Sequence, residues 1–144
     1  MPLMFLNYPE GTFTPEALTR VATQITRDGE ELEGLPLTDY VLSTTWVYTR
    51  EYPPSNVFHG GKAGGNNFIV LEINVIQGGY NARTKAELIR RVTDTISEHG
   101  NLPKGEPRRV YVLIREVAEA NWGFDGQSID LEALRDPPKD TRPL

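Results

Sequence analysis

Apolar residues crowd the stretch Leu3 to Tyr8, which closes on Pro9-Glu10-Gly11, the pattern of a strand ending in a turn. Thr14 followed by Pro15 gives an N-cap with proline at the first helical position. Leu18, Val21, Ala22 and Ile25 then recur at helical spacing, which predicts an amphipathic helix over 15–27. Asp28 to Pro36 reads as a polar loop. Tyr40 to Tyr52, rich in Thr, Val, Tyr and Trp, reads as a strand, and Pro53-Pro54 with the glycine pairs at 60–61 and 64–65 break it. The same order follows again. Phe68 to Ile76 is a strand, Gln77-Gly78-Gly79 a turn, and Thr84 to His99 a helix with Ala86, Leu88, Ile89, Val92 and Ile96 on one stripe. A loop leads to a further strand over 109–117, and the charged, proline-containing 132–144 reads as an arm or a frayed tail.

The two halves also match residue by residue. EALTRVATQIT (16–26) aligns without gaps to ELIRRVTDTIS (87–97), WVYTRE (46–51) to YVLIRE (111–116), and the turn Glu10-Gly11 to Gly78-Gly79. Each half is then strand-helix-strand, and a right-handed crossover makes each strand pair parallel. The expected fold is α+β: two tandem β-α-β repeats, about 2–61 and 68–127, forming a four-stranded sheet with two helices on one face. They make a single domain over 1–131. The uncovered sheet face calls for a symmetric oligomer. A ferredoxin-like monomer shares this element order and is the alternative.

Composition narrows the chemistry. With 144 residues there is room for one compact core. A formal net charge of −5 argues against a nucleic-acid surface. No apolar run approaches membrane-spanning length, and Met1 to Asn7 lacks a signal-peptide pattern, so a cytoplasmic protein is expected. The absence of cysteine removes disulfides, thiolate metal sites and cysteine nucleophiles, and two histidines are too few for a His-based metal site. No metal or cofactor is expected. The Gly60–Gly65 run lacks the order of a phosphate-binding loop and precedes a strand, so it reads as a connector with His59 exposed in it.

A chain opening Met-Pro-Leu on two such repeats, with GGYNARTKAELIRRVTDTI and then VYVLIREVAEANWGFDG in its second half, resembles fused members of the 4-oxalocrotonate tautomerase superfamily. NVFHGG at 56–61 resembles the matching stretch in the cis-3-chloroacrylic acid dehalogenase group, whose two-repeat chains form trimers. The resemblance implies a tautomerase-like fold, a homotrimer, a small-molecule substrate, and chemistry at Pro2 once the initiator Met is removed. An α-amino group titrates near 8, and an apolar, tyrosine-lined pocket would lower that value and favour a base.

The arginines with which the family binds carboxylates are missing at the positions that match. Tyr80 and Tyr111 stand there in the second repeat, Thr12 and Trp46 in the first. Gly29 and Phe124 fall where the cis-dehalogenases carry histidine and glutamate. The catalytic candidates are therefore Pro2 with Tyr80 and Tyr111 as hydrogen-bond donors to an oxyanion. The substrate-binding candidates are Arg115, Arg83, Trp122 and Trp46; the aromatic pair suits a planar conjugated substrate. By strand alternation, Tyr111, Leu113 and Arg115 share a face, as do Trp46, Tyr48 and Arg50. Glu51 and Glu116 are matched across the repeats and read as structural.

Three functions follow. The first is a tautomerase or isomerase in which Pro2 moves a proton on an enol or conjugated carbonyl compound. The second is a hydratase, decarboxylase or dehalogenase of a small unsaturated acid, which needs a water-activating carboxylate. The third is a catalytically silent, ligand-binding homologue.

Overall fold

The computed structural model describes all residues 1–144. Strand β1 (Leu3–Pro9) leads to helix α1 (Pro15–Glu33), a short helix α2 (Asp39–Thr44) and strand β2 (Trp46–Tyr52). A small hairpin, β3 (Phe58–His59) with β4 (Lys62–Ala63), precedes the second unit of β5 (Ile69–Ile76), α3 (Ala82–His99) and β6 (Val110–Val117). A second hairpin, β7 (Gly123–Phe124) with β8 (Gln127–Ser128), and helix α4 (Leu131–Arg135) close the chain. The main sheet has the order β2-β1-β5-β6, with both crossover pairs parallel and the central β1–β5 pair antiparallel. Two β-α-β repeats in one four-stranded sheet with two helices on one face is the expected architecture; the antiparallel pairing of β1 with β5 is what joins them. No helix is long and apolar enough to cross a membrane.

One sheet face is buried under α1 and α3. Met4, Leu6 and Tyr8 of β1 and Ile69, Leu71, Ile73 and Val75 of β5 meet Val21 and Ile25 of α1 and Leu88, Val92 and Ile96 of α3. The alternating residues face outward, so Trp46, Tyr48, Tyr111 and Leu113 are exposed, Tyr111 at 76%. A sheet with helices on one side only leaves this apolar face without cover.

Three local expectations change. Helix α1 does not stop at residue 27; it continues to Glu33 and ends at Gly34, whose φ of 77° suits glycine. The Leu35 N–H returns to the Glu30 carbonyl at 3.0 Å to close that end. Its last two turns are held to α3 by Arg91, which reaches Asp28 at 3.5 Å and Glu31 at 3.0 Å. Second, residues 39–44 are helix rather than strand, because Thr38 caps the Val41 N–H at 3.2 Å and Val41 is fully buried. Capping and burial override the β-propensity of the segment. Third, the repeats superpose through their caps, Thr14 with Asn81 and Pro9 with Ile76. The gapless helix match of 16–26 to 87–97 is therefore one helical turn out of register. The amphipathic stripe looks alike after such a slip.

A second, smaller cluster forms at the end of the sheet where β1 begins. Met1, Leu35, Val41, Ile76, Leu131 and Leu134 are buried there, with Tyr40, Trp122 and Ile129 packed against them.

Candidate active site

Pro2 opens β1, and its carbonyl accepts the Trp46 N–H at 3.3 Å, tying it to β2. Its ring lies against α1 where that helix carries Gly29: a Cβ there would come within 2.9 Å of Pro2 Cγ and 3.0 Å of Met4 Cε. The close approach of helix and strand depends on that glycine. Met1 is buried beside them at 6% exposure, and its ammonium donates to Glu30 Oε2 at 3.2 Å and to Glu33 Oε2.

The two glutamates are 0% and 2% exposed. Buried carboxylates are costly unless paired and hydrogen-bonded, by several kcal/mol per ion. Glu30 meets that condition, since its Oε1 accepts from the hydroxyl of Thr45, while the Thr44 hydroxyl beside it donates to the Val41 carbonyl at 2.7 Å. Glu33 meets it only in part. Its Oε1 is buried with no hydrogen-bond partner, and it lies against Gly79, where a Cβ would stand 2.5 Å away.

The electrostatics follow from this packing. Burial pushes the Glu33 carboxyl above the usual carboxylate range; the N-terminal ammonium pulls the other way, and the Glu30 charge adds to the rise. Tyr80 is buried, and its hydroxyl donates to the Gly29 carbonyl at 2.5 Å. Burial first, then the charges of Glu33 and Glu30, push its phenol far upward, so it stays protonated. A cavity of about 300 Å³ opens from Met1 towards the β7–β8 hairpin and α4. Tyr40, Phe124, Asp125, Asp130 and Leu134 line it, and no lysine or arginine does.

The acidic centre occurs once per chain. By the cap register, Ile96, Ser97 and Gly100 of the second repeat stand where the first has Gly29, Glu30 and Glu33, and Phe13 of the first stands where the second has Tyr80. Ile96 is fully buried, and Phe13 packs on Tyr8 and beside Gly100. That end of the molecule is filled with apolar side chains.

Residues 70–132 match the family model described as Tautomerase enzyme. That segment carries β5, α3, β6 and the hairpin, the whole of the second repeat's framework. Over that segment the chain is similar to the tautomerase family. A wild-type fused 4-OT that forms a symmetric trimer superposes with a TM-score of 0.73 at 21% identity, over 88% of this chain and 94% of that one. A native fused 4-OT gives 0.72 at 18% identity, over 92% and 98%. N1, a member of the cis-3-chloroacrylic acid dehalogenase family, gives 0.73 at 18% identity, over 89% and 83%. These likenesses establish the fused tautomerase fold. A comparison with curated protein sequences finds no match.

Within this fold, the structure gathers some of the candidates and separates others. Pro2 and Tyr80 meet at Gly29, and Trp122 packs on the cluster that holds Met1, whereas Trp46 reaches Pro2 only through its backbone N–H and turns its side chain to the open sheet face. Trp46 also lies edge-on to Phe124, with centroids 6.4 Å apart. Tyr111 and Arg115 do not join them in one protomer. Both lie on β6, two strands from β1, on the face away from the helices, and Arg115 is paired with Glu72 at 3.0 Å. Arg83 is exposed in the first turn of α3, and none of its contacts leads to Pro2. The hydroxyl of Tyr80 is already committed to Gly29. No cluster of His, Asp or Glu is arranged to hold a metal ion.

The expected greasy setting of the N-terminus is corrected: the walls are apolar, but two buried carboxylates sit at the nitrogen. Sequence reasoning missed Glu30 and Glu33 because it placed 28–36 in a loop. The signal was present. The stripe Ala17, Val21, Ile25 continued by the same step lands on Gly29 and Glu33, and an acid on an apolar stripe is itself a site signal.

Proposed function

We propose that this chain is a tautomerase or isomerase that interconverts an enol and its carbonyl form, with Pro2 and Glu33 as its acid–base pair. The carrying observation is the buried N-terminal ammonium held between Glu30 and Glu33. Removal of Met1 makes Pro2 nitrogen the terminal amine, about 3 Å from the place the Met1 nitrogen occupies, by ordinary backbone dimensions. It also opens the volume of the methionine side chain beside that amine. Two carboxylates nearby favour the secondary ammonium, so Pro2 starts the reaction as an acid.

In the ketonising direction the enol O–H passes its proton to the Glu33 carboxylate while a Pro2 N–H proton goes to the enol carbon. The C=C π pair forms the new C–H bond, and an oxygen pair forms the C=O bond. Transfer of the Glu33 proton to Pro2 nitrogen restores both groups. In reverse, Pro2 is the base. Burial raises the Glu33 carboxyl above the usual carboxylate range, which makes it a better proton acceptor than an exposed glutamate. Trp122 and Phe124 supply the apolar wall for a conjugated substrate. The open sheet face, with Tyr48, Tyr111 and Leu113 exposed, is read as the subunit interface of a homotrimer, and Tyr111 and Arg115 belong to that interface.

The test is deuterium incorporation from solvent at the methylene carbon α to the ketone of a neutral keto ester such as methyl phenylpyruvate. Replacing Pro2 with alanine should lower the exchange rate by about 10² to 10⁴-fold. An unchanged rate would end this reading. A second reading, hydration of an unsaturated compound, is favoured by the same glutamates, which supply the water-activating carboxylate that chemistry requires. It predicts a hydrated product rather than exchange alone.

A further inference from the structure

We propose that the space filled by Met1 is a binding site for a primary ammonium group carried on a short apolar chain. The inference rests on the reading that the active chain begins at Pro2, and it names the substrate class for that site. Met1 itself displays the recognition. Its ammonium is on Glu30 and Glu33, and it is buried among Leu35, Val41, Ile76, Leu131 and Leu134. With Met1 gone, Pro2 is the one amine left between the two buried carboxylates; the Arg135 guanidinium, which also acts on Glu33, is paired with Glu132. Glu33 Oε1 has no hydrogen-bond partner even with Met1 in place.

The rest of the wall points the same way. Asp125 and Asp130 line the adjoining cavity, and no lysine or arginine does. Tyr80 and Trp46 stand where the superfamily resemblance leads one to look for carboxylate-binding arginines. An anionic substrate would meet the two buried glutamates beside a single amine. A cation brings N–H donors to the glutamates, where charge-assisted hydrogen bonds form. Thr45 keeps Glu30 in place, so the subsite is organised before a ligand arrives.

Three probes of one shape separate charge from shape: methylthiopropylamine, methylthiopropanol and methylthiopropionate, titrated calorimetrically into the protein that begins at Pro2. The amine should bind about tenfold to a hundredfold more tightly than the alcohol, with the carboxylate weakest. The Met1-bearing form, its site filled, should show no such preference. Glu33→Gln should lose the preference for the amine and keep its affinity for the alcohol; if that variant does not fold, Glu30→Gln gives the same readout. A carboxylate that binds as tightly as the amine, an amine no better than the alcohol, or equal amine binding by the Met1-bearing form would overturn the proposal. Turnover is read separately. A Pro2→Ala protein that retains activity defeats the proton-transfer reading and leaves amine binding standing, whereas an active enzyme with no amine preference defeats only this inference.

Discussion

The hydroxyl of Tyr80 donates to the carbonyl of Gly29 at 2.5 Å, joining the turn before α3 to the helix that faces Pro2. This bond assigns Tyr80 to holding the site in shape. Tyr80→Phe should cost about 1–3 kcal/mol of stability, since a buried acceptor loses its donor. Its kcat should fall by less than about tenfold, because loss of an oxyanion donor would cost about 10² to 10³. Urea unfolding and steady-state kinetics on the same preparation separate the two roles.

Gly79 faces Glu33 with no room for a side chain, as a Cβ would lie 2.5 Å from Oε1 and 2.9 Å from Cγ. Gly79→Ala should therefore displace the carboxylate and destabilise the fold by about 1–3 kcal/mol, the usual cost of overpacking. Activity should fall with it. Gly78, whose φ is 90° and whose Cβ would meet nothing, offers a comparison with backbone strain but no clash. Its alanine variant should lose stability and leave the Glu33 geometry intact, as a crystal structure of each variant would show.

The raised Glu33 carboxyl sets a direction for the pH dependence of stability. A carboxyl held above its unfolded value favours the protonated native state. Its contribution is fully present below the ordinary glutamate range and is lost as pH rises through the folded value. Relative to Glu33→Gln, the unmodified protein should lose stability as pH rises from about 4 towards 7. Urea midpoints across that range check the sign; a relative gain with rising pH would show that the pairing with the amine dominates burial.

The exposed face of β6 offers a test of assembly. Tyr111 is 76% exposed and Leu113 43%, on a sheet face with no helix over it. A charged pair, Tyr111→Glu with Leu113→Arg, should convert the proposed trimer to a monomer by light scattering and leave the far-ultraviolet circular dichroism unchanged. A trimer that survives both changes would place the interface elsewhere.

Much of this architecture was legible in the chain. The caps Thr14-Pro15, the stripes ending in Ile25 and Ile96, and the paired sequences ending in Arg50-Glu51 and Arg115-Glu116 carry the double repeat, because periodicity and capping are local properties. The site was harder to read. Glu30 and Glu33 look like the solvated end of a helix until the long-range contacts are known: the approach of Pro2 at Gly29, the hydroxyl of Thr45, and the position of Gly79. Tyr80 was identifiable as a site residue from its place after the turn, but its role depends on a bond to a carbonyl far away in sequence. Tyr111 and Arg115 share a face, as alternation required, yet that face lies opposite Pro2.

The central claim is that a free Pro2 nitrogen beside Glu33 performs the proton transfer. The most direct measurement compares two preparations defined by intact mass, one beginning at Met1 and one at Pro2, for exchange at the methylene carbon of the same neutral keto ester. The account predicts exchange in the Pro2 form and at least a hundredfold less in the Met1 form, where the nitrogen is an amide, on the scale of losing a general acid–base. Equal rates in the two preparations would contradict it.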